Sequence, residues 1–273
     1  MRTDQKGNLY ILMTAVLWSM GGVLVKVIPA HPIAINGARS LIAFLFFVCY
    51  RRGIKIRINR LVIAAAFCVM LTNICYVAAT KLTTAANAIV LQYLAPVFVL
   101  IWDCIYQKRK PRKSQLLIMG TAFLGMFLFF MDQLDGGHLL GNLIAIFSGL
   151  TFSGVFFINS LPDSSSNDAS MLAFLMSFFI SIPYWIDIWH LDGKGMLAVL
   201  ALGIFQVGLP YAIFAKGVRM TSPVNASLIG LMEALLNPVW VFLFYGERVG
   251  KFALLGAALI LLSVASGIRQ NAS

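Results

Sequence analysis

At 273 residues, with 60% hydrophobic and 11% charged side chains and a mean hydropathy of +0.88, the chain carries more apolar surface than a water-soluble globule could cover. Its formal charge of +11 would suit a nucleic-acid partner only if the basic residues formed one patch, whereas they sort by loop. The class that remains is an all-α integral membrane protein.

Ten apolar stretches approach the roughly 20 residues needed to cross about 30 Å of hydrocarbon: 9–28, 33–50, 61–80, 84–106, 115–131, 141–160, 170–189, 195–217, 222–244 and 251–268. The first is too long for a signal-peptide core and lacks a small-residue cleavage site, since Ile28-Pro29-Ala30-His31 leads into another span; it is expected to stay in the mature protein. It carries Trp18 and Ser19 in its middle and Lys26 near its outer end, where an interface anchor or ion-pair partner is expected. Arg39 sits six residues into the second span, about 9 Å deep at the helical rise. It can snorkel outward or turn inward toward Glu233 or a substrate carboxylate.

Asn73 and Tyr76 mark the third span, Gln92 and Pro96 the fourth, and Asp103 lies near the fourth span's end within reach of Lys108 and Arg109, as a loop clamp. The sixth span contributes Ser153; the eighth contributes Gln206 and Tyr211, the latter directly after Pro210. Glu233 lies 11 residues into the ninth, about 17 Å along the helix and so near the midplane. A charge there costs at least about 2.5 to 3.5 kcal/mol on the insertion scale. Glu233 is therefore expected to bind a substrate amine, to exchange a proton, or to form a buried salt bridge tying the ninth span to the second.

Trp18, Ser19, Asn73, Tyr76, Gln92, Ser153, Gln206, Tyr211 and Glu233 form the candidate substrate-binding set, with Glu233, Arg39 and Lys26 as coupling or ion-pair candidates. Each uncharged member needs a hydrogen-bond partner away from water. Bonds between helices would meet that need equally well. Gln92 and Tyr211 lie beside prolines, where a disturbed backbone ladder can turn carbonyls toward a ligand.

Arg51, Arg52, Lys55, Arg57, Arg60, Lys108, Arg109, Lys110, Arg112, Lys113, Lys216, Arg219 and Arg269 share a side with Arg2 and Lys6, against only Lys81, Lys194, Arg248 and Lys251 opposite. The positive-inside rule then places both termini in the cytoplasm. Cys49, Cys68, Cys75 and Cys104 show neither CxxC spacing nor a zinc pattern, and read as small apolar fillers. His31, His138 and His190 fall in outer loops and read as solvated, without carboxylate partners.

The chain also contains itself twice. Gly7-Asn8-Leu9 leads to Trp18-Ser19, and Gly141-Asn142-Leu143 leads to Phe152-Ser153, 134 residues on; Asn87-Ala88 recurs as Asn225-Ala226 at a spacing of 138, Trp102 as Trp240, and Gly120 of the fifth span is matched with Gly256 of the tenth. Two five-span halves, 1–131 and 132–273, must sit in opposite orientation because five is odd. Inverted repeats of this kind allow alternating access.

Leu17-Trp18-Ser19, Ala85-Ala86-Asn87-Ala88 with Pro96, and Asn225-Ala226-Ser227 with Glu233 and Gly246-Glu247 resemble the duplicated EamA module of the drug/metabolite transporter superfamily. The resemblance implies ten helices as two inverted five-helix repeats, a central cavity lined mainly by spans 1, 3, 4, 6, 8 and 9, peripheral spans 5 and 10, and export of amino acids or related amines. Where the module often reads Glu-Pro, this chain has Glu233-Ala234 with Pro238 a turn later, so a kink is expected nearer the outer end. The first span has no carboxylate, unlike that of the four-helix small multidrug relatives.

No catalytic constellation, phosphate loop or Walker motif occurs within the spans, so neither an enzyme, a cofactor, a metal site nor direct ATP use is expected. The main expectation is a secondary transporter of small polar metabolites in the cell membrane. Its expected partners are a small-molecule substrate, the lipid bilayer and a proton or other coupling ion, without nucleic acid, and it is expected to be a monomer or homodimer. A membrane scaffold or assembly subunit, and a flippase for a lipid-linked headgroup, are the alternatives.

Overall fold

The computed structural model describes residues 2–21, 24, 28–134, 136, 138–245 and 251–272, and among them every regular element is helical. Lys26, Gly246, Glu247 and Arg248 lie outside the described residues. Helix α1 spans Thr3–Ser19, α2 Pro32–Arg51, α3 Arg60–Leu82, α4 Ala85–Gln92, α5 Ala95–Tyr106, α6 Lys113–Phe130 and α7 Leu139–Ser160; α8 spans Ser166–Ser181, α9 Ile186–Trp189, α10 Gly193–Ala201, α11 Leu209–Gly217, α12 Pro223–Gly230, α13 Met232–Tyr245 and α14 Ala253–Ala272. Among the described residues seven continuous stretches are long and apolar enough to cross a membrane.

Polar residues at the ends start these helices where the apolar runs begin. Asn59, Thr84, Ser165, Asp192 and Ser222 each accept a backbone N–H of the first turn, satisfying donors that a helix leaves orphaned. Helix α1 starts six residues before its apolar run, because the polar turn Thr3-Asp4-Gln5-Lys6 is helical too, with Gln5 Oε1 accepting the Arg2 N–H at 3.1 Å. The expected span 170–189 is not one helix. After α8 the chain passes through a 3₁₀ turn, Ile182–Tyr184, into short α9; Pro183 lacks the N–H that would continue the ladder.

Packing is crossed between the halves. Helix α3 lies along α7 as α1 lies along α11, while α4 and α5 contact α7 as α12 and α13 contact α1. Other close pairs, among them α2 with α8, α6 with α14 and α3 with α8, each join one helix of either half. A residue set meeting its own copy reciprocally in this way is the mark of a two-fold relation.

Three polar contacts recur in both halves. The Trp102 indole N–H reaches Ser153 Oγ at 3.1 Å, and that of Trp240 reaches Ser19 Oγ at 2.8 Å. Thr83 donates to Asn142 Oδ1 at 2.8 Å, and Thr221 to Asn8 Oδ1 at 2.6 Å. Ser148 Oγ donates to the Thr72 carbonyl at 3.1 Å, and Thr14 Oγ1 to that of Pro210 at 3.3 Å.

Glycines set the closest approaches. A Cβ on Gly7 would stand 2.7 Å from the Met220 carbonyl carbon, and one on Gly141 2.6 Å from that of Leu82. Between α6 and α14 the glycine facing Gly256 is Gly125, not Gly120, which has open space around it. Both outer helices keep large apolar side chains such as Leu117 and Leu254 exposed, as a lipid-facing periphery requires.

Candidate functional site

The two helices that carry the most suggestive polar residues are broken at equivalent places. Helix α4 ends at Gln92 and α5 starts at Ala95; α12 ends at Gly230 and α13 starts at Met232. Pro96 sits in the first turn of α5, where its missing N–H costs nothing. Pro238 lies inside α13, which runs through it. The discontinuity therefore precedes Glu233, instead of following it toward the outer end as the proline position suggested. Between α10 and α11 the chain runs through a π-helical stretch, Leu202–Gly208, which carries Gln206.

These irregular segments surround a cavity of about 80 Å³, bordered by Trp18, Arg39, Asn73, Tyr76, Gln92, Gln206, Tyr211 and Glu233, with Thr72, Phe152 and Val207 completing its wall. Arg39 is buried and, among the described residues, is held by neutral oxygens alone. Its Nε and Nη2 donate to Asn36 Oδ1 at 3.2 and 2.8 Å, Nη2 also donates to Asn73 Oδ1 at 2.9 Å, and Nη1 donates to Gln206 Oε1 at 3.1 Å. The supporting amides are themselves fixed, Asn73 by the Val69 carbonyl at 2.8 Å and Gln206 by that of Trp18 at 3.5 Å.

Glu233 borders the same cavity from the other repeat. Its Oε2 accepts the Tyr93 hydroxyl at 2.7 Å, and that hydroxyl also lies 3.3 Å from the Gly230 carbonyl, exposed by the helix break. Among the described residues the ion pairs are Arg51 with Asp168 and Arg109 with Asp103, both at 2.5 Å. The expected salt bridge between the ninth and second spans is thus not formed. Arg39 and Glu233 share a cavity without touching.

Trp18, Asn73, Tyr76, Gln92, Gln206, Tyr211 and Glu233 are brought together, and Arg39 turns inward to join them instead of snorkelling. Ser19 and Ser153 are not in the wall: both are fully buried and accept the tryptophan bonds described above. Gln92 reaches the wall while its Nε2 donates to Ser148 Oγ at 2.9 Å. Arg39 adds the second span to the lining helices that the resemblance implied. Tyr93 was missed, since an aromatic residue in an apolar run reads as core; the usable signal was its place three residues before Pro96, at a helix break.

From the cavity wall a continuous chain of ring contacts runs toward the end of α2. Trp18 meets Tyr211 and Phe214 at 5.3 and 5.7 Å between centroids, Tyr211 meets Phe174 at 5.3 Å, and Phe174 meets Phe47 at 5.8 Å. Past the rings, Arg51 at the end of α2 binds Asp168 in the first turn of α8. Arg109 closes on Asp103 as the expected loop clamp. His31 is more than a solvated loop residue, because its ring caps α2 and stacks on Tyr184 at 4.5 Å while its backbone N–H donates to Asp187 at 2.7 Å.

The EamA-like transporter family model matches residues 5–131 and 137–266. An "Uncharacterized transporter" of Archaeoglobus fulgidus is 23% identical over 98% of both chains. The "Uncharacterized transporter YwfM" of Bacillus subtilis is 27% identical, covering 95% of this chain and 93% of its own. The "Uncharacterized inner membrane transporter YicL" of Salmonella typhimurium is 24% identical over 97% and 95%. A protein of known crystal structure superposes with a TM-score of 0.82 at 15% identity, covering 98% of this chain and 99% of its own; that likeness concerns the fold.

Proposed function

Because the chain belongs to the EamA-like transporter family and is a multi-pass membrane transporter by that kinship, we propose that it carries small polar metabolites, amino acids or related amines, by alternating access. Residues 1–131 and 132–273 act as inverted five-span repeats that rock about the cavity between them. One observation carries this reading: the cavity lies where helices of both repeats are broken, and each repeat contributes one charged side chain to it, Arg39 and Glu233. Discontinuous helices at half depth are how transporters offer polar groups to a solute inside a membrane.

The basic loops put both termini in the cytoplasm. On that orientation the ring contacts and the Arg51–Asp168 pair lie on the cytoplasmic side of the cavity. Transport runs toward the outside by family resemblance alone. Counterflow by purified protein in proteoliposomes, against a panel of amino acids, amines, sugars and nucleosides, tests the proposal. Accumulation of a labelled amino acid or amine is expected; no flux of any panel member would end it.

A further inference from the structure

We infer that the loop joining α2 to α3 is a docking surface for the headgroups of anionic phospholipids, gripping them with basic and aliphatic side chains together. Residues 52–59 lie between Arg51, the last of α2, and Arg60, the first of α3, and include three isoleucines, three basic residues and no acidic one. Both flanking helices are long and apolar enough to cross a bilayer, so the loop emerges at headgroup level. On the orientation proposed above it meets the cytoplasmic leaflet.

This loop is pinned along its length. As the chain leaves α2 through Arg52, the Gly53 N–H donates to the Val48 carbonyl at 3.0 Å. Ile56 packs against the protein core. Asn59 Oδ1 caps α3 by accepting the Val62 N–H at 2.7 Å, while its Nδ2 donates to the Asp163 carbonyl at 2.8 Å. Left outside are Ile54 and Ile58, 64% and 68% exposed, with exposed Arg52, Lys55, Arg57 and Arg60 around them. A backbone fixed in this way presents its side chains without a further ordering cost on binding.

Neighbouring cations are already spent, Arg51 on Asp168 and Arg109 on Asp103. The side chains of Arg52, Lys55, Arg57 and Arg60 make no hydrogen bond or ion pair among the described residues. Topology signalling accounts for basic residues in such a loop, but not for exposed isoleucines between them. A nucleic acid would answer the charges and leave the aliphatic groups in water. A bilayer surface meets both needs, because lipid phosphates take the cations while the isoleucines enter the boundary between headgroups and acyl chains. Helix α3 continues the lipid-facing surface through exposed Ile63 and Phe67, one turn apart. The other basic connection, 107–112, carries Lys108, Lys110 and Arg112 without any isoleucine, leucine or valine, and so supplies the internal control.

Native mass spectrometry of the purified full-length protein tests this, with detergent solutions titrated with phosphatidylglycerol or phosphatidylcholine of identical palmitoyl and oleoyl chains. For the first lipid bound, wild type should prefer phosphatidylglycerol by at least about tenfold, since each basic residue near an anionic surface contributes roughly fivefold. Lys55→Gln combined with Arg57→Gln should remove most of that preference, whereas Lys108→Gln combined with Lys110→Gln should change it by less than about threefold. Ile54→Ser combined with Ile58→Ser should weaken both lipids about fivefold and leave their ratio unchanged. Lys55 and Arg57 are exposed and unbonded, so their variant should keep its fold; even without it, equal binding of the two lipids by wild type overturns the inference. Equal losses from the two pairs of lysine and arginine changes overturn it too, as does an isoleucine variant that binds like wild type. Displacement of the lipid by millimolar sn-glycerol 3-phosphate would also overturn it, by making the loop a site for a free phosphate.

Discussion

The frame of this molecule and its cavity treat the ancient duplication in opposite ways. In the frame several bonds recur: Trp102 with Ser153 answers Trp240 with Ser19, and Thr83 with Asn142 answers Thr221 with Asn8. At the cavity most twins differ, Val207 with Val69 being an exception. Gln92 faces Gly230 in the alignment, Tyr93 faces Leu231, Ala95 faces Glu233, Cys68 faces Gln206 and Asn73 faces Tyr211. Under the proposed alternating access, the contacts that recur would let the halves exchange conformations, while the lining that differs between them would face the solute.

The sharpest way to break that contrast is Glu233→Gln, which keeps shape and removes charge at a position whose twin is alanine. Counterflow should fall about 100-fold, from the roughly 3 kcal/mol of a charge-assisted contact, with an unchanged gel-filtration profile; undiminished flux would remove Glu233 from the site. In the frame, Gly7→Ala and Gly141→Ala should each cost about 1 to 3 kcal/mol, since each new methyl meets a carbonyl of the other half that side-chain rotation cannot clear. Melting in detergent should drop by similar amounts for both, and a large disparity would deny the symmetry.

Tyr93→Phe should weaken solute binding by about 1 kcal/mol, roughly fivefold, by freeing the Glu233 carboxylate to wander. Stability should change less than affinity, which separates a positioning role from packing. Smallest are Ser19→Ala and Ser153→Ala, each costing about 0.5 to 1.5 kcal/mol through an indole N–H left unbonded. Matched losses in thermal melts would sharpen the comparison, and the double variant should be additive because the sites do not touch.

Much of this was legible before any coordinates. Apolar run length located the helical segments because hydrocarbon thickness dictates it, though not the breaks within four of them, and the repeat announced itself through paired motifs. Glu233 stood out because a carboxylate at half depth has no cheap explanation. Less accessible was which polar residues face inward. Ser19 and Trp18 are neighbours in sequence, yet one is wall and the other is an acceptor for Trp240; a 100° step per residue decides it, and no periodicity stands out where every face is apolar. The failed expectation of an Arg39–Glu233 bridge has the same root. Two opposite charges in a membrane invite pairing, and only the amides of Asn36, Asn73 and Gln206 explain why Arg39 is content elsewhere.

The π-helical stretch at Leu202–Gly208 has no counterpart in α3, its partner by duplication. A wide turn of this sort amounts to one residue inserted into an α-helix. Deleting a single residue there would restore regular winding and swing everything on one side of it by about 100°, moving Gln206 away from Arg39 or Tyr211 away from Trp18. An insertion no longer than one codon would then have given the second half the extra twist by which a copied helix acquired a new inward face.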